Sequence, residues 1–353
     1  MKTTFISTTT LWNSPRSSLD KLQQSLTKAN TELTTGRYAD VGLALGNRTG
    51  EALSLRQQLS ELEALKDSNN LALQRLDTTT GALDSIREAA TEFRDALVGL
   101  PVVNPPVSTI KSQAKAYLES LTSDLNISVG GQFIFGGINT KTKPAAGYEG
   151  GTPLSTKDAV ANVFSQPVAS GGFGFPQSSP LVSGISPADM EAFLDGPFKD
   201  LFEGAGWETY SSASDQNIQS LVSTTEKVET STNANTTAMR QIAMAYTMIY
   251  DLGIESLSQE TRDVVIKKAA DVLSGAVTGL IQVQADLGTS QAKVKSANER
   301  MDLQASIFQD HIGKLESVDP TEAKVRVDQL MTQIQTSYSL TAQLRQLNLI
   351  NFL

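Results

Sequence analysis

The chain has 353 residues, room for two or three domains, and it carries 38 Asp and Glu against 29 Lys and Arg. That acidic balance disfavours nucleic acid or an anionic membrane as the main partner. Cysteine is absent, which excludes disulfides, thiolate metal sites and cysteine nucleophiles, and suits passage between redox compartments without cross-linking.

Aromatics make up only 6% of the residues, while Leu, Ala, Gln, Thr and Ser abound, so long helices are favoured over a thick aromatic core. The N-terminal stretch MKTTFISTTTLWNSP lacks the apolar run of a secretory signal peptide. Its Ser/Thr-rich start predicts weak local order. Ser14 is a candidate cap, Pro15 suits a first helical position, and Gly36 is a stop. Between them Leu19, Leu22, Leu26, Ala29 and Leu33 recur at alternating steps of three and four, the spacing of a heptad seam.

After the loop Gly36–Gly50 the same rhythm predicts a far longer helix. It carries Leu55, Leu59, Leu62, Leu73, Leu76, Leu83, Ile86, Ala90, Phe93 and Leu97, with Lys66 and Asn69 interrupting. Such a rod would be roughly 65 Å long. The prolines of LPVVNPPV, residues 100–107, must end it. Ile110, Ala114, Tyr117, Leu121 and Leu125 then predict a return helix.

At Gly130 the character changes. GGQFIFGGINTKTKP holds a short β-prone run, Phe133–Phe135, between glycine pairs. Gly, Pro and Ser dominate through Ser183, a short helix is predicted at Ala188–Phe202 with Ser186 as cap and Pro187 first, and Trp207–Asn235 returns to strand chemistry. From Thr236 helices resume. Ser258 can cap a rod whose Leu273, Leu280, Leu287, Val294, Met301, Phe308 and Leu315 recur every seven residues. Asp319-Pro320-Thr321-Glu322 restarts the last helix, whose seam of Val327, Leu330, Ile334, Leu340, Leu344 and Leu347 is interrupted by Ser337 and Thr341.

The expected fold is therefore mainly α with a β-rich insert: a long antiparallel helical bundle or coiled coil from both chain ends, carrying an inserted α+β outer domain. Residues 1–40 with 320–353 would form the terminal helices, 41–130 with 235–319 the long bundle, and 131–234 the insert. No stretch reaches the ~18–20 apolar residues of a membrane span, so no membrane insertion is expected.

A catalytic role finds little support. His311 is the sole histidine, without a second His or a Cys to join it at a metal, and neither an HExxH, a GxSxG, a P-loop nor a GxGxxG motif occurs. No cofactor is expected. The functional candidates are the two terminal stripes, which admit two roles. They can pack on one another in a stable monomer. Alternatively they stay mobile until neighbouring subunits complete their core, which the apolar tail LNLINFL favours.

Several strings in this order resemble the flagellin superfamily. LTTGRYADVGLALG is similar to the turn after the first helix of that family, and GGQFIFGGINTKTKP to the exit into its outer domain. ANERMDLQ and KLESVDPTEAKVRVDQL resemble the approach to the last helix, and LTAQLRQLNLINFL the terminus. The likeness is greatest to the hook–filament junction proteins, the hook-associated protein 3 group of the α-proteobacterial type. The loop ADVGLALGNRTG and the end Asn351-Phe352-Leu353 depart from the NSAxDDxAG-like loop and Leu-Leu-Arg-like end of filament flagellins.

The resemblance implies a structural protein of the bacterial flagellum, exported without a cleaved signal peptide through the flagellar type III apparatus. It implies assembly with copies of itself as a ring, between the preceding hook-associated protein and flagellin, and shelter by a cytosolic export chaperone before export. The assembly interface would be carried by Leu19, Leu22, Leu26, Leu33, Leu330, Ile334, Leu340, Leu344, Leu347, Ile350, Phe352 and Leu353. Filament flagellin is the nearest alternative, a type III secretion tip or translocator protein the next, and an enzyme with its site in 131–234 the last.

Overall fold

The computed structural model describes residues 8–100, 106–150 and 155–350, without the side chains of 8–15 and 344–350. In chain order, α1 (Thr8–Thr35) and the short α2 (Val41–Leu45) lead into the 50-residue α3 (Thr49–Val98), and α4 (Val107–Leu125) follows. The hairpin β1 (Ser128–Val129) and β2 (Gln132–Phe133) opens the insert. Next come α5 (Thr156–Phe164), α6 (Pro187–Asp195), α7 (Pro197–Glu203) and the hairpin β3 (Gln219–Leu221) and β4 (Lys227–Glu229), in register at Ser220 opposite Val228. The chain returns through α8 (Thr237–Asp251), the 58-residue α9 (Gln259–Glu316) and α10 (Pro320–Ile350).

The predominantly helical architecture with a β-containing middle is as the periodicity predicts. The capping chemistry works where it was read: Ser186 accepts from the Asp189 N–H, Ser258 from that of Thr261, and Asp319 from that of Thr321. Three local expectations need correcting. Helix α1 starts at Thr8, not after a Ser14 cap, so Pro15 lies within the helix, where a proline forgoes its own backbone bond and crowds the carbonyl four residues before it. The Gly36–Gly50 loop contains α2, capped by Asp40. The helix expected at Ala188–Phe202 is two helices, since Pro197 starts α7 afresh after Gly196.

Contacts divide the chain into two compact units, one made of the residues up to Ala64 and from Met301 onward, the other of Leu65–Arg300. The second unit has one continuous hydrophobic core. It gathers Leu76, Leu83 and Phe93 of α3, Leu118 of α4, Tyr246 of α8 and Leu273 of α9 with Phe164, Phe198, Trp207 and Tyr210 of the insert. Helices α3 and α9 run antiparallel there. Gln284 bonds Asp84 at 2.9 Å, Gln291 bonds Asp77 at 2.9 Å, and Asn298 bonds Asn70 at 3.2 Å, so partners fall by seven as the others rise by seven. Beside that ladder Asn69, fully buried where it breaks the leucine rhythm, donates to Asn298 Oδ1 and to the Val222 carbonyl.

Polar side chains pin the insert. Asn126 takes the place of a strand, accepting from the Ala145 N–H and donating to the Ala145 carbonyl. Gly137 has φ +61°, and a Cβ there would collide with the Ser214 and Gln216 carbonyls, so only glycine fits. Asn235 uses its whole amide: Oδ1 accepts from Trp207 Nε1 at 2.8 Å and Ser211 Oγ at 2.6 Å, while Nδ2 donates to the Ala213 carbonyl and to Asp215. Asn235→Ala strands the Trp207 N–H and should cost about 1–3 kcal/mol of stability. Denaturant unfolding followed by Trp207 emission in a Trp12→Phe background measures it; an unchanged midpoint would show the network to be dispensable.

Candidate assembly surface

The other unit contains the terminal stripes. Helices α1 and α10 pack on one another, and their order is antiparallel: Gln23 Nε2 donates to the Tyr338 hydroxyl at 3.1 Å, and Arg326 Nη1 to Glu32 Oε2 at 3.0 Å. Ala29 of α1 and Ala323 of α10 are buried. Leu19, Leu22, Leu26 and Leu33 of α1 are only half-buried, as is Leu330 of α10, whereas Val327 and Ile334 are buried.

On α10 the inward stripe is Ala323, Val327, Leu330, Ile334, Ser337 and Thr341, at steps of four and three. Leu340, read from the sequence as a member of the seam, lies off it and is 59% exposed. The reason is helical phase, because the stripe continues through the small polar Ser337 and Thr341. Val325, at 50% exposure, falls on the same outer side as Leu340, about 60° away around the helix axis. Met331 and Tyr338, seven apart, are exposed along the flank. Helix α10 thus has apolar residues on more than one side, and only one side meets α1. Leu344, Leu347 and Ile350 belong to α10, but their side chains lie outside the described residues, as do Phe352 and Leu353 altogether.

Where α1 ends and α10 begins, the two turns are stitched together. Arg37 and Ser317 form an antiparallel bridge, with the Tyr38 N–H donating to the Glu316 carbonyl and the Val318 N–H to the Gly36 carbonyl, both at 3.0 Å. Gly36, at φ +67°, makes the turn out of α1. Below the bridge the Glu316 carboxylate is 1% exposed and receives three hydrogen bonds of 2.7–3.0 Å from Arg56, with Arg37 at 3.9 Å. Glu32 ties the same corner together by accepting from the Ala39 N–H and from Arg326, which also reaches Glu322.

Apart from Glu322, which the sequence marks only as part of the α10 start, none of these charged partners stands out in the sequence. Arg56 and Glu316 are 260 positions apart, so no local pattern joins them. One signal was available: an acid in the last turn of a helix opposes the helix dipole, and such a residue usually has a specific partner. His311, exposed on α9, stands 3.9 Å from Glu51. Among the described residues there is no cluster of three metal-ligating side chains, and no helix is long and apolar enough to cross a membrane.

Nested chain ends, an inserted middle and a surface of packing residues define a structural protein of the assembly type. Two family models agree: the N-terminal helical region of bacterial flagellin matches residues 6–140, and the C-terminal helical region matches 270–353, together more than half of the chain. The chain belongs to the flagellin superfamily, whose members are structural and non-catalytic, and its general role is that of a bacterial flagellar structural protein. The fold is also similar to that of a solved chain described as a flagellar hook-associated protein of Vibrio parahaemolyticus. The two share 11% identity with a TM-score of 0.50, over 76% of this chain and 97% of that one. No curated protein matches the chain in sequence.

The start of α10 is open to a pH test. Hydrogen bonds from the Thr321 backbone, then its side chain, then the Glu322 backbone hold the Asp319 carboxyl below its ordinary value. A depressed folded-state pKa stabilises the helix start above the unfolded-state value and ceases to do so as pH falls through the folded one. The Thr321 amide resonance should therefore move on acidification from about pH 5 to about pH 2. In Asp319→Asn that movement should vanish; a shift that survives in the variant would assign it to another group.

Proposed function

We propose that this chain is the subunit that joins the flagellar hook to the filament, assembling as a ring after export through the flagellar type III apparatus. The observation that carries the reading is the unequal use of α10. One of its sides covers α1, while Val325 and Leu340 stand open where a monomer gains nothing from them. Seam leucines that remain half-buried in the pair point the same way.

On this reading residues 1–40 with 320–353 form the inner layer of the ring. Residues 41–130 with 235–319 form the next layer, and 131–234 faces outward. Leu19, Leu22, Leu26, Leu33, Leu330, Ile334, Leu340, Leu344, Leu347, Ile350, Phe352 and Leu353 make the inner contacts. The partners are copies of the chain, the preceding hook-associated protein and flagellin, with an export chaperone holding the C-terminal helix in the cytosol. The finished ring is extracellular. The likeness to a hook-associated protein supports the fold this requires, and the departure of the ADVGLALGNRTG loop from filament flagellins supports the junction role.

Electron microscopy of a deletion strain, with flagellin assayed in the medium, tests the role. Hooks without filaments and shed flagellin are the expected outcome, and normal filaments would sink it. Because the two matching family models are those of flagellin itself, filament flagellin is the second reading. Seeding separates the two, since a filament protein elongates into long polymers and a junction protein stops. The open side of α10 has its own test: Val325→Gln with Leu340→Gln should leave the helical circular dichroism unchanged but reduce incorporation onto hooks about tenfold or more, because exposed apolar residues matter only once covered. Equal incorporation would remove this face from the interface.

A further inference from the structure

The corner around Glu316 carries a further inference, which rests on the assembly reading and concerns how its surface is switched. We propose that the Gly36–Ala39 and Glu316–Asp319 turns form a clasp through which α1 and α10 order and release as one unit, so that neither terminal helix docks without the other.

Three observations make the clasp a joint object. Each of its two backbone hydrogen bonds needs one turn from each end of the chain, so half a clasp satisfies nothing. Glu316 is 1% exposed, and a buried carboxylate without its partners is costly, which ties its burial to the presence of Arg56 and to the arrival of Arg37 from the α1 exit. Glu32, inside α1, is held both by the Ala39 amide of the clasp turn and by Arg326 of α10, so the corner and the helix pair share a residue. The packing of α1 adds little independence, because its half-buried leucines face α10.

The geometry also supplies the test. In the Arg37–Ser317 bridge the two hydrogen bonds are made by the flanking residues, so this is a non-hydrogen-bonded antiparallel pair. Such pairs have Cα atoms about 4.5 Å apart, within disulfide range. The chain has no cysteine of its own, so Arg37→Cys with Ser317→Cys in the full-length protein forms a single defined cross-link.

Amide hydrogen exchange is then compared in the oxidised and reduced protein. Closing the clasp should slow exchange along both 16–35 and 320–343 by about tenfold or more, with thiol reversing it, and should leave 65–300 unchanged. Slowing confined to the residues beside the cross-link, or to one helix alone, would overturn the proposal. Glu316→Gln is the opposite perturbation and covers the case in which both helices are already protected in the free chain. That protection would count against a surface that orders late, yet the clasp would still require both helices to loosen together. If they loosen separately or not at all, the clasp is wrong whatever the chain assembles into.

Discussion

A helix in a two-helix pair can hide only the flank that faces its partner, and the character of the terminal unit follows from that limit. Leu19, Leu26 and Leu33, with Leu22 between, fall on the same seven-residue period as Leu76, Leu83 and Leu97 of α3. The latter are buried, because the return helices and the insert close around them, whereas the former stop half way. Burial of apolar area contributes about 25 cal/mol per Å². The same leucines therefore leave part of their stabilisation unrealised in the isolated chain. In the proposed ring, neighbouring copies supply what the pair cannot.

Leucine seams of regular period are tolerant of slippage, since a shift of seven residues restores the same pattern. Polar contacts set the register instead, in both units. Between α3 and α9 it is the ladder of Gln284, Gln291 and Asn298, with Asn69 buried beside it. Between α1 and α10 it is Gln23 with Tyr338 and Glu32 with Arg326, continued into the corner at Glu316. Buried or half-buried ionic contacts add little net stability, because desolvation opposes the Coulomb gain, but a mismatched one is expensive. Their effect here is to make one alignment better than its neighbours.

The sequence was informative where a single physical period ran unbroken. The seven-residue spacing from Leu273 to Leu315 gave α9, and Asp319-Pro320 gave the start of α10 at the observed residue. The beginning of α1 is not legible because Ser14-Pro15 is the pattern of a helix start, and the helix instead runs through it from Thr8. Leu340 falls outside the stripe because it stands one residue, about 100°, from Thr341, and Ser337 and Thr341, which interrupt the apolar set in the sequence, are the residues that continue the buried side. The Glu316 corner was invisible for a different reason. Its members come from four places in the chain, and spacing carries no information about meetings at that distance. The Gly- and Ser-rich middle hid its core as well. Phe164, Phe173 and Phe193 make a ring cluster with centroids 4.7–5.5 Å apart, yet the turn residues around them gave no period to follow.

The unit 65–300 shows what a finished surface looks like in the same protein. Its insert meets the end of α8 through a reciprocal exchange, in which Tyr148 donates to Asp251 at 2.7 Å and Tyr250 donates to Glu149 at 3.0 Å. Burial raises the Asp251 carboxyl above its ordinary range, while the bonds from Lys157 and Tyr250 hold Glu149 below it. Each of these four side chains has its partner inside the unit. In the terminal unit the charged groups of the corner are satisfied to the same standard, but Val325, Met331 and Leu340 are not covered by anything described. Polar completeness combined with apolar incompleteness separates an assembly surface from a merely loose one. On the proposed assembly, the register is already specified when a neighbour arrives, and what remains to be gained is burial.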